Sequence, residues 1–162
     1  MKAIVFDKYG SPDVLKLEEV EKPILADDKV LIRIHAAGAN AGDWHVLRAD
    51  PFPVRLFFGL LKPKYNILGT DIAGTVEAVG KNVTRFQPGD EVFGNVAECG
   101  WGGYAQYVAA CQDSIVLKPP NLSFEEAAVV PQAAVTALQG LRDKGQIQPG
   151  QKVLINGASG GV

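Results

Sequence analysis

The last residues of the chain have the composition of a phosphate-binding loop. Residues 157–162 read Gly-Ala-Ser-Gly-Gly-Val and follow the short apolar run at residues 152–156. Glycine lets a backbone approach a pyrophosphate, and a helix starting there would add free N–H groups and the positive end of its dipole. If a helix follows, the residues expected to cradle the phosphates are Ala158, Ser159, Gly160, Gly161 and Val162. An ordinary glycine-rich turn is the alternative.

The elements that must position this loop fall into two parts. The first two-thirds of the chain alternates short apolar runs with glycine- and proline-containing turns, which is typical of a small barrel or sandwich. The run at residues 29–37 alternates most clearly, with Val30, Ile32 and Ile34 on one face. The predicted strands are residues 2–6, 15–19, 29–37, 72–79, 91–93, 104–109 and 115–117.

The pattern becomes helical after residue 120. Ser123 and Glu126 have the spacing of a capping box, which predicts a short helix reaching Val130. Pro131 is suited to the first turn of a second helix, which we expect to end near Asp143. The apolar run at residues 152–156 predicts a buried parallel strand, which needs neighbouring strands. We therefore expect the chain to be the N-terminal piece of a longer protein.

Composition argues against a nucleic-acid-binding, membrane-associated or secreted protein. The 162 residues carry a net charge of −2 and contain no lysine- or arginine-rich stripe, which argues against nucleic acid as a partner. The longest apolar run, residues 56–61, is far below the roughly 20 residues of a membrane span, so no membrane association is expected. The N-terminus has no secretion signal, which predicts a cytoplasmic protein. Cys99 and Cys111 could pair, but this setting favours free thiols.

Four segments, in order along nearly the whole chain, resemble the medium-chain dehydrogenase/reductase family. They are residues 35–44, residues 68–74 continuing to 79–80, residues 88–92 and residues 149–162. The third reads Pro-Gly-Asp-Glu-Val, and the second has glycines at positions 69, 74 and 80. The chain is most similar to the zinc-independent quinone oxidoreductase type.

The resemblance implies a fold that is mainly β with a few helices. Residues 1–122 would form a GroES-like, partly open β-barrel on the substrate side. Residues 123–150 would form bridging helices, and residues 151–162 would begin an α/β Rossmann domain. The cofactor would be NADP or NAD, with NADPH favoured by the resemblance alone, and the intact protein would be a homo-oligomer.

The activity implied for the intact protein is hydride transfer from the cofactor to a small-molecule quinone, enone or related carbonyl compound. The chain by itself would then be inactive, because most of the cofactor site lies outside it. Two alternatives remain, a stand-alone GroES-like binding module without catalysis and a zinc-type alcohol dehydrogenase. The acidic residue that binds the ribose would lie beyond residue 162, so NAD and NADP are not distinguished.

The resemblance also places the zinc ligands of metal-dependent relatives on unsuitable residues. Asn40 and Thr70 stand at the cysteine and histidine positions, and residues 135–137 contain no Cys or Asp. Zinc prefers sulfur and imidazole and needs three protein ligands at an open catalytic site. Gly42 replaces the hydroxyl that relays a proton in those relatives. We therefore expect no metal. The alternative ligands are Asp43, His45 and Asp71.

The expected catalytic residues lie at the end of the first segment. Asn40 would orient the substrate carbonyl or the cofactor, or else cap a loop. Asp43 and Trp44 would line the substrate pocket, although an acid at a helix start and a packed indole explain them equally well. Thr136 matches a family threonine that contacts the nicotinamide, and its alternative role is a hydrogen bond to its own helix.

Two further features have open roles. Trp101 either borders the pocket or stacks within a loop. The apolar insert, defined here as residues 52–61, is a lid, a subunit contact or core. Its large side chains are Phe52, Phe57, Phe58, Leu60 and Leu61.

Overall fold

The computed structural model describes residues 1–162, and an antiparallel five-stranded sheet is its centre. From one edge of this sheet to the other, the strands are Tyr107–Cys111 (β6), Lys29–Gly38 (β3), Asp71–Val79 (β4), Glu91–Asn95 (β5) and Ile115–Leu117 (β7). β3 and β4 pair along most of their length, so the C-terminal end of β3 lies beside the start of β4, with Gly38 opposite Asp71.

A two-stranded sheet partly closes one side of the barrel. It pairs β1 (Lys2–Val5) with β2 (Lys16–Glu19). Single bridges from Ala3 to Ala105 and from Val5 to Ile67 attach it to the rest of the molecule. The two sheets do not merge into a closed cylinder. The predicted class, mainly β with a few helices in a partly open barrel, is confirmed.

The core is formed mainly by alternate side chains of the central strands, which point to the same face of the sheet. Its main cluster has ten buried side chains: Val30, Ile32, Ile72, Val76, Phe86, Val92, Val96, Val108, Ala110 and Ile115. A second cluster around Phe6, Val46, Leu47 and Leu68 joins the first helix to the barrel. At Gly74 a Cβ atom would collide with the carbonyl oxygen of Arg33, so the backbones of β3 and β4 approach closely there.

Four short α-helices surround the sheets. They are α1 (Ala41–Arg48), α2 (Val54–Phe58), α3 (Phe124–Ala128) and α4 (Pro131–Leu138). The capping box before α3 is confirmed, because Ser123 N donates to Glu126 and Glu126 N donates to the Ser123 hydroxyl. Pro131 does begin α4, which continues as a π-helical segment, Gln139–Lys144. Neither α1 nor α2 was predicted as a helix, because both segments are short and show little apolar periodicity. No helix is long and apolar enough to cross a membrane.

The predicted strand at residues 152–156 is wrong for this structure. These residues form no ladder, and Leu154 is 96% exposed. A buried parallel strand requires hydrogen-bonding neighbours on its edges, and no strand of the chain lies beside this segment. The apolar run therefore remains uncovered.

The expectation of free thiols is also wrong in this structure. Cys99 and Cys111 form a disulfide between the turn after β5 and the end of β6, with their Cα atoms 5.7 Å apart. Sequence reasoning addressed only the redox compartment, whereas the packing of the turn after β5 against β6 brings the two sulfur atoms together. Lys29 Nζ lies 2.9 Å from the Cys111 sulfur.

Candidate active site

The Asp71 carboxylate is the centre of a hydrogen-bonded cluster at the open end of the barrel. Asp71 begins β4 and is completely buried. One of its oxygens accepts the Asn40 side-chain amide at 3.1 Å and the backbone N–H of Gln132 at 2.9 Å. The other accepts the Asn95 side-chain amide at 2.6 Å. One carboxylate therefore joins the start of α1, the end of β5 and the start of α4.

A second buried carboxylate, Asp43, holds the loop that precedes β4. Its oxygens accept the backbone N–H groups of Asn40 at 2.8 Å and of Gly69 at 2.9 Å. Gly69 has φ +89, and a side chain there would collide with Tyr104. Burial raises the pKa of the Asp43 carboxyl, while the two backbone donors oppose that shift. Both oxygens are occupied, so Asp43 orders the backbone around Asn40.

The Tyr104 hydroxyl adjoins this second cluster. It lies 3.5 Å from the Gly38 carbonyl oxygen and beside Asp43. Burial and the negative charge of Asp43 both raise the pKa of Tyr104 well above its ordinary value of 10.0. The phenol therefore stays protonated over the physiological range and acts as a donor.

One side of α4 carries polar groups toward the cluster. The Thr70 hydroxyl donates to Gln132 Oε1 at 3.3 Å. One turn later, the exposed Thr136 hydroxyl donates to the Gln132 carbonyl oxygen at 2.6 Å. The alternative role predicted for Thr136, a bond within its own helix, is thus present. Gln132 and Thr136 are four residues apart and share one helix face.

The sequence-predicted aromatic residues lie farther along α1 and the following loops. Trp44 is 43% exposed, contacts the His45 ring edge-on and has the Arg48 guanidinium 5.1 Å from its own ring. Trp101 packs edge-on against Phe58, with ring centroids 5.4 Å apart. Trp101 therefore packs against a neighbouring aromatic ring edge-on and not by stacking, and Trp44 presents indole surface to solvent.

Only part of the apolar insert packs against the core. Phe58 packs inward, and the Tyr9 hydroxyl donates to the carbonyl oxygens of Phe58 at 2.8 Å and Gly59 at 2.7 Å. The other large side chains are exposed, among them Phe57 at 76%. The exposed ones are Phe52, Leu56, Phe57, Leu60 and Leu61. The insert is anchored on one side and open on the other.

The glycine-rich loop forms an exposed turn. Gly157 has φ +72, and the backbone N–H of Gly160 donates to the Gly157 carbonyl oxygen at 2.8 Å. No helix follows within the chain. The residues predicted to bind phosphate are all exposed here: Ala158, Ser159, Gly160, Gly161 and Val162.

The side chains at the site do not form a metal-ligand set. No group of three His, Cys, Asp or Glu side chains lies close enough to hold an ion. Asn40 and Thr70 contribute an amide and a hydroxyl. Asp43 and Asp71, the alternative ligands, direct their oxygens to N–H donors instead.

Sequence reasoning missed three members of the cluster. Asp71 was considered only as a metal ligand, and Asn95 and Gln132 were not singled out. Gln132 carried one usable signal, since it lies four residues before Thr136 and directly follows Pro131, the predicted helix start. Asn95 carried none, because its role depends on β5 pairing with β4.

Comparison with known proteins agrees with this architecture. Residues 26–120 match the alcohol dehydrogenase GroES-like domain. The chain belongs to this family. The predicted resemblance to quinone oxidoreductases of the medium-chain dehydrogenase/reductase superfamily is confirmed by the relatives it matches.

Three similar proteins cover nearly the whole chain. The chain is 39% identical to the quinone oxidoreductase of Sus scrofa and 40% identical to the 2-methylene-furan-3-one reductase of Solanum lycopersicum, over its full length in both cases. It covers 47% and 42% of those proteins. The Escherichia coli quinone oxidoreductase solved in complex with NADPH is 28% identical, with a TM-score of 0.79 over 92% of this chain and 43% of that one. The chain thus spans about half the length of the relatives it matches.

Proposed function

We propose that the intact protein is a zinc-independent, NAD(P)H-dependent reductase that transfers hydride to a quinone, an enone or a related carbonyl compound. The observation that carries this proposal is the donor set at the site. Asn40, Thr70 and Gln132 supply amides and a hydroxyl, and every oxygen of the two carboxylates accepts at least one N–H group. The names of the relatives, a quinone oxidoreductase and a furanone reductase, support the same substrate class.

Asn40 would orient and polarise the substrate. One N–H of its side-chain amide is engaged by Asp71, which leaves the second N–H for an acceptor. A carbonyl oxygen placed there would gain negative charge as hydride adds to the conjugated carbon. A fixed donor stabilises that charge most strongly in the transition state. Asn40 thereby supplies electrophilic assistance without a metal ion.

Asp43 would position the Asn40 donor, and Trp44 would contact the substrate. Asp43 holds the backbone of Asn40 and Gly69, which fixes the donor before substrate arrives. The exposed indole of Trp44 offers a flat apolar surface for a quinone ring or an enone. An electrophilic acceptor mainly needs to be positioned beside the cofactor. On the substrate side of the site, these side chains would supply that positioning.

A bound nicotinamide cofactor would supply the hydride. The residues proposed to hold it are Asn40 and Thr136 at the nicotinamide end, and residues 158–162 at the pyrophosphate. The glycine turn fits a phosphate because it exposes backbone with no side chain near Gly161. NADPH in the similar Escherichia coli structure supports this cofactor class. A cytoplasmic homo-oligomer, with residues 1–122, 123–150 and 151–162 assigned as above, completes the proposal.

The test is cofactor oxidation by the full-length protein. NADPH and NADH are each offered with p-benzoquinone and with 3-buten-2-one, and loss of nicotinamide absorbance is followed. We expect turnover that survives chelator treatment. Asn40→Ala should lower kcat by about 100-fold, the usual effect of removing one fixed donor. Asn82→Ala, at an exposed turn, is the matched control and should be unchanged.

The alternatives give different results in the same assay. A stand-alone binding module would oxidise neither cofactor with either acceptor. A zinc-type alcohol dehydrogenase would contain stoichiometric zinc by elemental analysis and would lose activity with chelator. Either outcome would reject the proposed function.

A further inference from the structure

The carboxylate of Asp71 occupies an unusual position for a charged group. It is completely buried, yet no lysine, arginine or histidine pairs with it. Its partners are three neutral N–H donors, from Asn40, Asn95 and Gln132. Burying a carboxylate is costly unless its oxygens are fully bonded. An apolar or smaller residue would fill this place at lower cost, so a role beyond packing is indicated.

The first consequence of this arrangement concerns the orientation of Asn40. A side-chain amide has a donor end and an acceptor end, and rotation by half a turn exchanges them. At Asn40 that rotation would bring an amide oxygen against the Asp71 oxygen, which is repulsive. The carboxylate therefore selects the orientation in which nitrogen faces Asp71. The same choice determines which atoms of Asn40 remain for a ligand.

The second consequence concerns the start of α4. Val130 precedes this helix and has no side chain able to cap it. Asp71 supplies the missing acceptor from another strand, bonding the Gln132 N–H at 2.9 Å. Thr136 lies one turn farther along α4. The Asp71 carboxylate thus fixes the orientation of the Asn40 amide and the position of the start of α4. Both carry proposed ligand contacts.

We propose that Asp71 is a positioning residue, which holds the Asn40 amide and the N-terminus of α4 in the arrangement needed for hydride transfer. This inference rests on the proposed function for its kinetic part. Asn95 completes this hydrogen-bonded arrangement. Its side chain donates to the second oxygen of Asp71 and accepts the Ala97 N–H at 3.0 Å. The carboxylate is thereby fixed from β5 and cannot turn away from Asn40.

The kinetic test is a double-mutant cycle in the full-length protein. Asp71→Asn removes the charge with little change in volume. We expect it to lower kcat by about 10-fold or more, since small misplacements cost up to the order of 100-fold. In the Asn40→Ala background the same change should have a much smaller effect on kcat, because the group it positions is gone. Asp90→Asn is the matched control, since Asp90 also accepts a backbone N–H, from Gln87 at 2.9 Å, in an exposed turn.

Two readouts do not depend on turnover. Hydrogen exchange over residues 130–138 should be faster in Asp71→Asn than in Asp90→Asn. Asn40→Asp, at a partly exposed position, would bring a second carboxylate against Asp71 and should lower the melting temperature more than Asn40→Ala does. This second variant keeps the inference testable if Asp71→Asn does not fold.

The outcomes separate the two proposals. Equal losses of kcat from Asp71→Asn in both backgrounds would make Asp71 a structural group and overturn the inference. Unchanged exchange at residues 130–138, or identical melting of Asn40→Asp and Asn40→Ala, would also overturn it. If the wild-type protein reduces no acceptor, the proposed function fails, while the exchange and melting results still decide whether Asp71 positions Asn40 and α4.

Discussion

At the scale of the residue, the distinctive feature is a pair of buried carboxylates that bind N–H groups. Asp43 and Asp71 lie at the start of α1 and of β4, and each joins segments distant in sequence. Neither directs a free oxygen toward a ligand. Their chemistry is to hold donors, above all Asn40, in fixed positions. The two acidic side chains therefore shape the candidate site through the N–H groups they bind, and not through direct contact with a ligand.

Tyr104 gives a pH-dependent prediction at the same scale. Burial and the charge of Asp43 raise its pKa in the folded protein above the ordinary value of 10.0. The unfolded chain therefore releases the phenol proton first as pH rises. The stabilisation is fully present below pH 10.0 and is lost above it, through the folded pKa. Urea denaturation between neutral and strongly alkaline pH should show a smaller alkaline loss of unfolding free energy for Tyr104→Phe than for wild type.

A parallel loss in Tyr104→Phe and wild type would contradict this prediction. The useful comparison is the difference between the two proteins at each pH, because other groups titrate in both and cancel. At neutral pH the variant should also be less stable than wild type, since it lacks the hydroxyl beside Asp43.

At the scale of the element, the helices after residue 120 depend on local capping. Ser123 and Glu126 satisfy each other's backbone N–H groups at the start of α3. Ser123→Ala should lower the unfolding free energy by about 1 kcal/mol, the usual cost of losing a cap. Thermal or urea denaturation measures the difference, with Ser159→Ala in the exposed glycine turn as the control. A change equal to the control would show that α3 is held by packing of Ala127 and Ala128 alone.

The disulfide between the turn after β5 and the end of β6 makes a second prediction at this scale. Cys99 and Cys111 are 12 residues apart and so close a short loop. Such a loop restricts the unfolded chain by roughly 2–3 kcal/mol. Cys111→Ser should lower the unfolding free energy by that amount under oxidising conditions and have a much smaller effect in reductant. Equal effects in both conditions would indicate that the two sulfur atoms are not bonded in solution.

At the scale of the whole molecule, the uncovered apolar surface at residues 152–156 is the main feature. Leu154 and its neighbours are exposed, although their composition is that of a buried strand. If these residues begin the cofactor domain, the longer protein should bury them in a parallel sheet. Hydrogen exchange at residues 152–156 should then be slow in the full-length protein and fast in residues 1–162 alone. Fast exchange in both would reject the predicted boundary at residue 151.

Much of the fold could be predicted from local pattern. The seven strands lie close to the predicted runs because apolar alternation records which face is buried, and the capping box and Pro131 mark helix starts that depend on adjacent residues. The helix α1 was missed because its eight residues show little apolar periodicity. Asn40, Asp43, Trp44 and Thr136 stay predicted site residues, and the structure joins only Asn40 and Asp43 to the buried carboxylate cluster.

By itself, the sequence determined the β-rich class, the order of the seven strands and the family, since these follow from periodicity, turn residues and motifs in register. Only the tertiary structure decided that Asp71 receives donors from Asn40, Asn95 and Gln132, that Asp43 accepts the Gly69 N–H, and that the two cysteines meet. The physical reason is range. Patterns encode contacts within a few residues, whereas these bonds join segments 12 to 61 residues apart, which are brought together by strand pairing and helix packing.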